Sequence, residues 1–364
     1  MLVYDHYVPI LTGKRGEFNA LRTLDPDVLQ NVSPFIDMPP IPLGVAMRGK
    51  VSKRDTPEEA LDKLLTAIGT HWGTDRRVMV DLAAYDRYQI AGEHPARWLF
   101  LEAATRGIWL MAAAGTDSSS VYRAALVAVA DALKGLCLRA RALPGYAPED
   151  LAAEVDELAA TLPRSDPAHT ELMLDLGRIA DHRLAADELL ELVLEHIRAL
   201  GARNRRVSAI AATSVPNDGV PRGEVHRENR CEWRLWEQLA TEPVTKRPAF
   251  ADYGITGPRP DDEKTGRPDP NLRYTTNAAL LMWRGRDNSR ADPDDPDKRA
   301  VLFPELCADL IRHPNDFAGP RFSAGDRAIW IAGTAGRPPG TPTKWVEHAT
   351  SHHLTHVVKQ LQGR

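Results

Sequence analysis

The sequence predicts a (β/α)8 barrel, and three observations carry that prediction. Short aliphatic and β-branched runs alternate with amphipathic helical patterns, the order expected of βαβ units in a parallel sheet. Several of these runs are apolar at nearly every position, as strands buried on both faces must be. Eight such runs occur, the number that closes a barrel, and no Gly-rich dinucleotide turn accompanies them. Gly13-Lys14-Arg15-Gly16 matches neither the GxGxxG pattern nor the phosphate-loop pattern, so a doubly wound open sheet is the weaker alternative.

Taken in order, the strand-like runs are Tyr7–Leu11, Val32–Asp37, Arg77–Leu82, Gly107–Ala112, Thr170–Leu176, Val207–Thr213, Ala249–Tyr253 and a last stretch around Leu272–Trp283. Thr56-Pro57-Glu58-Glu59 reads as a capped helix start, with Leu61, Leu64, Leu65 and Ile68 as its apolar stripe. Helical patterns over Pro95–Ala104 and Ser118–Arg141 follow the third and fourth strands. Ala147–Leu162 opens on Pro148-Glu149-Asp150, and Ala185–Leu200 has an apolar face through Leu189, Leu192, Val193 and Ile197. Glu228–Leu239 carries Trp233 and Trp236 at a spacing that favours core packing over a stacking platform for bases.

The barrel is expected over residues 1–286, an acidic Pro-rich loop over 287–300, and a C-terminal α+β extension over 301–364 packed on the barrel. Gly257–Pro270 and Asp287–Lys298 read as exposed loops. The extension holds helical patterns over Val301–Arg312 and from about Lys344 to Leu361, with Phe322-Ser323-Ala324-Gly325-Asp326 between them.

Composition excludes several classes. With 364 residues, 43% hydrophobic and 26% charged, the chain is ordinary for a soluble globular protein. A net charge of −4 gives no field to recruit nucleic acid or anionic lipid. The densest basic cluster, Arg203, Arg205 and Arg206, reads as a solvated helix end before a strand. Cys137, Cys231 and Cys307 have no zinc or redox spacing and fit a reducing compartment. No leader pattern and no run of the roughly 20 apolar residues that a membrane span needs is present. A cytoplasmic chain without membrane or nucleic-acid partners is expected.

In a barrel, chemistry collects where strands end. The tips read here are Lys14 with Glu17, Asp37, Asp81 (then Asp86 and Arg87), Thr116-Asp117, Asp175 with Arg178, Asn217-Asp218, Asp252-Tyr253, and Arg273-Tyr274 or Arg284. Any single Asp in such a place is more often the cap of the next helix. Asp37, Asp81 and Asp175 each end an apolar run directly, which makes a shared site the sharper reading. Asp81, Asp175 and Asp252 are the candidate catalytic residues; Lys14, Glu17, Asp37, Tyr253, Arg273 and Arg284 are the candidate ligand contacts. Converging acids serve one of two chemistries, a divalent metal held through oxygen ligands or a crowded carboxyl acting as general acid. His352, His353 and His356 lie on the last helix, with His352 and His356 four residues apart. That spacing suits a metal, yet no HExxH pattern surrounds it, so a capping, surface or lining role competes. No GxSxG pattern supports a serine nucleophile.

The opening Tyr7-Val8-Pro9-Ile10-Leu11-x-Gly13-Lys14-x-Gly16-Glu17-x-x-Ala20-Leu21 resembles the start of a family of bacterial and phage proteins known as beta proteins. Asp175-Leu176-Gly177, Glu232-Trp233-x-Leu235-Trp236, Asp252-Tyr253, Arg273-Tyr274, Arg284-Gly285, Phe322-Ser323-x-Gly325-Asp326, and Trp345 followed by His352-His353-Leu354 extend the resemblance over nearly the whole chain. Ala251 stands where a Gly often precedes Asp-Tyr, and the insert at Asp287–Lys298 departs as a variable loop. The resemblance implies no settled catalytic mechanism. Through members found beside phage and bacterial defence genes, it implies a role in phage–host conflict. Two functions follow: an enzyme, of hydrolase type, acting on a small anionic, phosphorylated or nucleotide-like ligand, or a non-catalytic sensor that binds a ligand, a phage component or a defence protein.

Overall fold

The computed structural model describes residue 2, residues 5–41, 46–47, 50–51, 55–163, 170–216, 220–243, 246–258, 269–286, 300–335 and 340–363. The expected tip Asn217-Asp218, most of the loop 257–270 and nearly all of the loop 287–300 lie outside these residues.

Eight parallel strands close into a barrel: β1 (Tyr7–Leu11), β2 (Phe35–Asp37), β3 (Val78–Asp81), β4 (Leu110–Gly115), β5 (Leu136–Arg141), β6 (Thr170–Arg178), β7 (Ala209–Thr213) and β8 (Ala249–Asp252). They pair in chain order and β8 returns to β1, with Val8 beside Ala251 and Asp37 beside Asp81. Side chains alternate across each strand, so one set fills the interior. Phe35, Met79, Cys137, Met173, Ala211 and Ala251 belong to that inner cluster. The other face of β1 and β8 presents Tyr7 and Phe250, and Phe250 meets Trp233 and Trp236 edge-on. Both tryptophans are buried, as their spacing predicted. Trp236 also donates from its indole to the Pro248 carbonyl at 3.0 Å.

The expected helix starts are found, and Pro57–Ala67 shows why. The Thr56 hydroxyl accepts the Glu59 amide at 3.1 Å while the Glu59 carboxylate accepts the Thr56 amide at 2.8 Å, satisfying two otherwise orphaned donors.

Two strand assignments need correction. Ser118–Arg141 is a helix (Ser120–Ala128), a short 3-10 turn (Ala130–Ala132) and then barrel strand β5. Buried Leu126, Val129, Leu133 and Leu136 keep three- and four-residue steps across the join, so helical periodicity runs straight over Lys134-Gly135. Conversely, Leu272–Trp283 is no barrel strand. It holds a hairpin in which Asn271–Thr275 pairs antiparallel with Ala279–Arg284.

By its internal contacts the chain forms two compact units. One comprises Met1–Gly13, Ser33–Thr213 and Cys231–Tyr253 and contains all eight barrel strands. The other comprises Lys14–Val32, Ser214–Arg230 and Gly254–Arg364. It is built on the hairpin, extended by His226–Asn229 into a three-stranded sheet, with helices Arg15–Arg22, Phe303–Ile311, Ala324–Ala335 and Pro342–Gln362. Leu272, Leu281, Phe303, Leu310, Ile329 and Trp345 anchor its core. No described helix is long and apolar enough to cross a membrane.

Candidate functional site

Two residues beyond the inner-cluster positions Phe35, Met79, Cys137 and Met173, the same inward face presents Asp37, Asp81, Arg139 and Asp175. The strands thus lift three carboxylates and one guanidinium to the carboxyl-terminal end of the barrel, where barrel chemistry is found. Arg139 is the hub. Its Nη1 donates to Asp37 Oδ2 at 2.9 Å and Asp81 Oδ2 at 3.2 Å, and its Nε donates to Asp175 Oδ2 at 2.8 Å. Its Nη2 donates to the Tyr253 hydroxyl at 2.9 Å, and that hydroxyl donates to Asp175 Oδ2 at 2.6 Å. Alanines at 113, 211 and 251 of the inner cluster take little space beneath this group.

Backbone amides finish the two buried acids. Asp81 Oδ1 accepts the Ala83 amide at 2.9 Å, and Asp175 Oδ1 accepts the Gly177 amide at 2.9 Å. Gly177 has φ of 60°, and the register of β6 shifts between Asp175 and Arg178. A glycine in this left-handed conformation lets the strand turn its next free amide back to the carboxylate.

The side chains of Arg139, Asp81 and Asp175 are 1%, 1% and 2% exposed, whereas that of Asp37 is 34% exposed, so Asp37 is the solvent edge of the cluster. Burial raises both inner carboxyls, and their neighbours separate them. Burial, and next the charge of Asp37, push Asp81 above the usual carboxylate range, with Arg139 only partly opposing them. Burial also pushes Asp175 upward, but Arg139, Arg141, the Tyr253 hydroxyl and the Gly177 amide outweigh it and hold Asp175 below that range. For Arg139 burial disfavours the cation, and its acidic and phenolic neighbours more than restore it. Two titratable groups with proton affinities driven apart are an acid and a base in waiting.

The metal reading fares less well. A guanidinium occupies the centre on which the carboxylates converge. Among the described residues no group of three or more His, Cys, Asp or Glu side chains is placed to hold an ion.

Asp37, Asp81, Asp175 and Tyr253 are therefore brought together; Asp252 belongs to the same unit but not to this cluster, and Lys14, Glu17, Arg273 and Arg284 belong to the second unit. Asp252 neighbours Tyr253 in sequence but points to the opposite side of β8, where it accepts the Tyr7 hydroxyl at 2.5 Å. This corrects its assignment to a shared acid site: strand alternation separates adjacent residues onto opposite faces. Arg273 and Arg284 stand on the hairpin of the second unit and not on a barrel strand. Arg273 donates to the Ile255 carbonyl, and Arg284 meets Asp269 through Nε at 3.1 Å. Asp117 pairs with Arg141 at 3.3 Å. Arg139 is absent from the sequence-based candidates because helical periodicity runs on into its strand, Leu136–Arg141. The available signal was Gly135 followed by Leu136-Cys137-Leu138-Arg139-Ala140-Arg141, an alternating run with two cations on one face.

Lys14 and Glu17 open the helix Arg15–Arg22 of the second unit, and Glu17 accepts the Lys14 amide at 2.8 Å. Gly16 lies where helix meets helix: a Cβ added there would stand 2.6 Å from the Thr343 carbonyl oxygen. Gly16→Ala is expected to destabilise the second unit by about 1–3 kcal/mol, since backbone cannot yield as a side chain can. Urea unfolding of the full chain reads this, and a variant as stable as wild type would show that the approach is looser than described.

His352 and His353 are structural in geometry. His352 Nδ1 lies 2.8 Å from Asp326 Oδ2 and its Nε2 lies 2.7 Å from the Thr275 carbonyl. His353 Nδ1 lies 2.7 Å from the Thr275 hydroxyl. The His356 ring lies 5.7 Å from that of His352, and burial holds His356 well below its usual range.

Comparison with known proteins adds the following. The family model described as "Beta protein" matches residues 7–359. No curated protein matches the chain. Among solved structures, a family 18 chitinase from Crocus vernus aligns at 11% identity and a TM-score of 0.32. That alignment takes in 50% of this chain and 65% of the chitinase, so it spans less than two thirds of that protein.

Proposed function

The chain belongs to the Beta protein family, and from that premise we propose that it is an acid–base enzyme of phage–host conflict working at the carboxyl end of its barrel. One observation carries the reading: a buried arginine ties together two carboxyls whose proton affinities diverge, Asp81 upward and Asp175 downward. Asp81 serves as the proton donor, Asp175 as the ionised partner, and Asp37 meets the ligand at the solvent edge. Arg139 holds all three in place and keeps Asp175 charged.

The charge balance refines the ligand. With Asp81 protonated, Asp37, Asp117 and Asp175 still outnumber Arg139 and Arg141. This excess favours a polar ligand that is neutral or cationic where it meets the acids, over one that presents a phosphate there.

Testing starts in cells. Wild-type chain expressed in a bacterial host challenged with a phage panel is expected to lower plating, and Asp81→Asn and Asp175→Asn to abolish that effect. Incubating the pure protein with a small-molecule extract of the host, read by mass spectrometry, is expected to convert at least one component, with no conversion by either variant. Protection that survives both substitutions sinks the enzymatic reading. Every nitrogen of Arg139 already has a partner within the barrel, which favours a second reading, a non-catalytic sensor, in which the same variants change binding and no product forms with any of them.

The pH dependence has a stated sign. An acid with raised affinity stays competent until pH climbs through its elevated pKa, so the alkaline limb of kcat/KM belongs to Asp81. A base with lowered affinity fails only when pH drops below the ordinary carboxylate range, so the acid limb belongs to Asp175. Asp37→Asn removes a charge that raises Asp81 and is expected to move the alkaline limb to lower pH; a limb that stays in place would assign it to another group.

A further inference from the structure

At the end of the barrel opposite the acids, the segments leading into β7 and β8 border a cleft of about 660 Å³. This volume lies within the range of small-molecule sites. One wall is apolar, from Leu194, Ile197, Val207 and Pro248. Arg198, Arg205, Arg206 and Lys246 also line it, against a single carboxylate among the described lining residues, Glu242. Partners temper this charge without cancelling it. Arg198 pairs with Glu191 at 2.7 Å, while Arg203 and Arg205 share Asp156 at 3.1 and 2.9 Å. Among the described residues, Arg198, Arg203, Arg205, Arg206 and Lys246 thus face Glu191, Glu195, Glu242 and Asp156 across the cleft and its immediate surroundings, a small cationic excess. The arginine cluster that reads in sequence as a solvated helix end is one wall of a concave surface.

We propose that this cleft is a second ligand site, and that it takes an organic anion with an apolar body and a sulfonate, phosphate or carboxylate head. The body rests on Leu194, Ile197 and Val207, and the head faces Arg206 and Lys246. An apolar wall with a cationic rim discriminates against both halves of the alternative: an uncharged apolar molecule loses the rim, and a bare inorganic anion loses the wall. The site is chemically unlike the barrel mouth, where acids predominate.

Gly201 supplies the decisive variant. It lines the cleft, and a Cβ built on it meets nothing within 4 Å, so a large side chain there grows into the open space without disturbing the helix that carries it. The probe is anilinonaphthalene sulfonate, titrated by fluorescence, with uncharged N-phenylnaphthylamine as its counterpart. Wild type is expected to bind the sulfonate saturably at one site per chain, with affinity falling as salt rises. Gly201→Phe and the double variant Arg206→Glu/Lys246→Glu are each expected to weaken it at least about tenfold, the worth of one hydrogen bond to a charged group. Affinity unchanged in Gly201→Phe, unsaturable binding, or equal affinity for the uncharged counterpart overturns the proposal. Asp81→Asn serves as the control that leaves this cleft intact.

Discussion

Replacing Arg139 by methionine is expected to cost the barrel roughly 3–5 kcal/mol at neutral pH, the penalty for removing one partner of a buried ionic network. In a unit of this size the loss corresponds to a fall of roughly 10 °C in the unfolding midpoint. The physical cause lies in what remains. Asp81 and Asp175 are held 1% and 2% exposed, and without the guanidinium neither has a cation bonded to it. Methionine fills most of the arginine's stem but offers no donor. Lysine is expected to rescue only part of the loss, because one ammonium cannot span the directions that Nε, Nη1 and Nη2 cover. The pH sign separates this cause from a packing defect. With Arg139 gone, burial raises the folded-state pKa of both inner acids above the unfolded value, so their contribution is present at low pH and lost as pH rises. Arg139→Met is therefore expected to approach wild-type stability as pH falls toward 4, and a penalty independent of pH would point to a cavity instead. Adding Asp81→Asn and Asp175→Asn to Arg139→Met is expected to return part of the loss at pH 7.

The barrel was readable because its evidence is repeated. Alternation of apolar runs and capped helices needs no single position to be right, and seven of the strands lie within a few residues of their expected bounds. The misread ones are instructive. β5 was hidden because Leu126, Val129, Leu133 and Leu136 sustain a helical step through a helix, a turn and a strand. The false eighth strand arises because Thr276, Asn277 and Ala278, without Gly or Pro, turn one hairpin strand into the next. The site suffered from the first error directly. Asp37, Asp81 and Asp175 were legible as acids ending apolar runs, while the arginine that joins them sat inside the supposed helix. Asp252 shows the opposite limit: a motif marks a stretch of chain, yet only strand alternation decides which side of the barrel each residue faces.

The family's phrases divide along the same line. Asp175-Leu176-Gly177 belongs to the acid cluster, with Gly177 returning its amide to Asp175. The opening Gly-Lys-x-Gly-Glu and the closing histidines have structural explanations instead. Glu17 caps the helix it begins, Gly16 admits a crossing backbone, and Gly325 faces the His348 carbonyl so closely that no Cβ fits. A motif dense in charged and catalytic-looking residues is thus partly a record of how helices approach one another.

The second large effect is expected from that closing phrase. Asp326 and His352 are fully buried. Asp326 accepts the Tyr274 hydroxyl at 2.6 Å and the Ser323 hydroxyl at 2.5 Å, beside the His352 ring at 2.8 Å. The His352 ring lies over Tyr274 with centroids 3.7 Å apart and planes at 18°. Both ring nitrogens lie within hydrogen-bond distance of an oxygen, a carboxyl on one side and a backbone carbonyl on the other. Asp326→Asn replaces one acceptor by an NH2 group beside the Tyr274 and Ser323 hydroxyls, and His352→Phe keeps the stacking but removes both ring nitrogens from their buried oxygen partners. Each is expected to lower the stability of the second unit by about 1–3 kcal/mol, the range for leaving a buried polar group without its hydrogen-bond partner. If the two groups act through each other, the double variant costs less than the two single losses added together, with a coupling of roughly 0.5–3 kcal/mol. Urea unfolding followed by near-ultraviolet circular dichroism of Tyr274 and its neighbours measures all three chains. Strict additivity would mean that Asp326 and His352 are held by separate contacts and that the pair does not stabilise the fold as a unit.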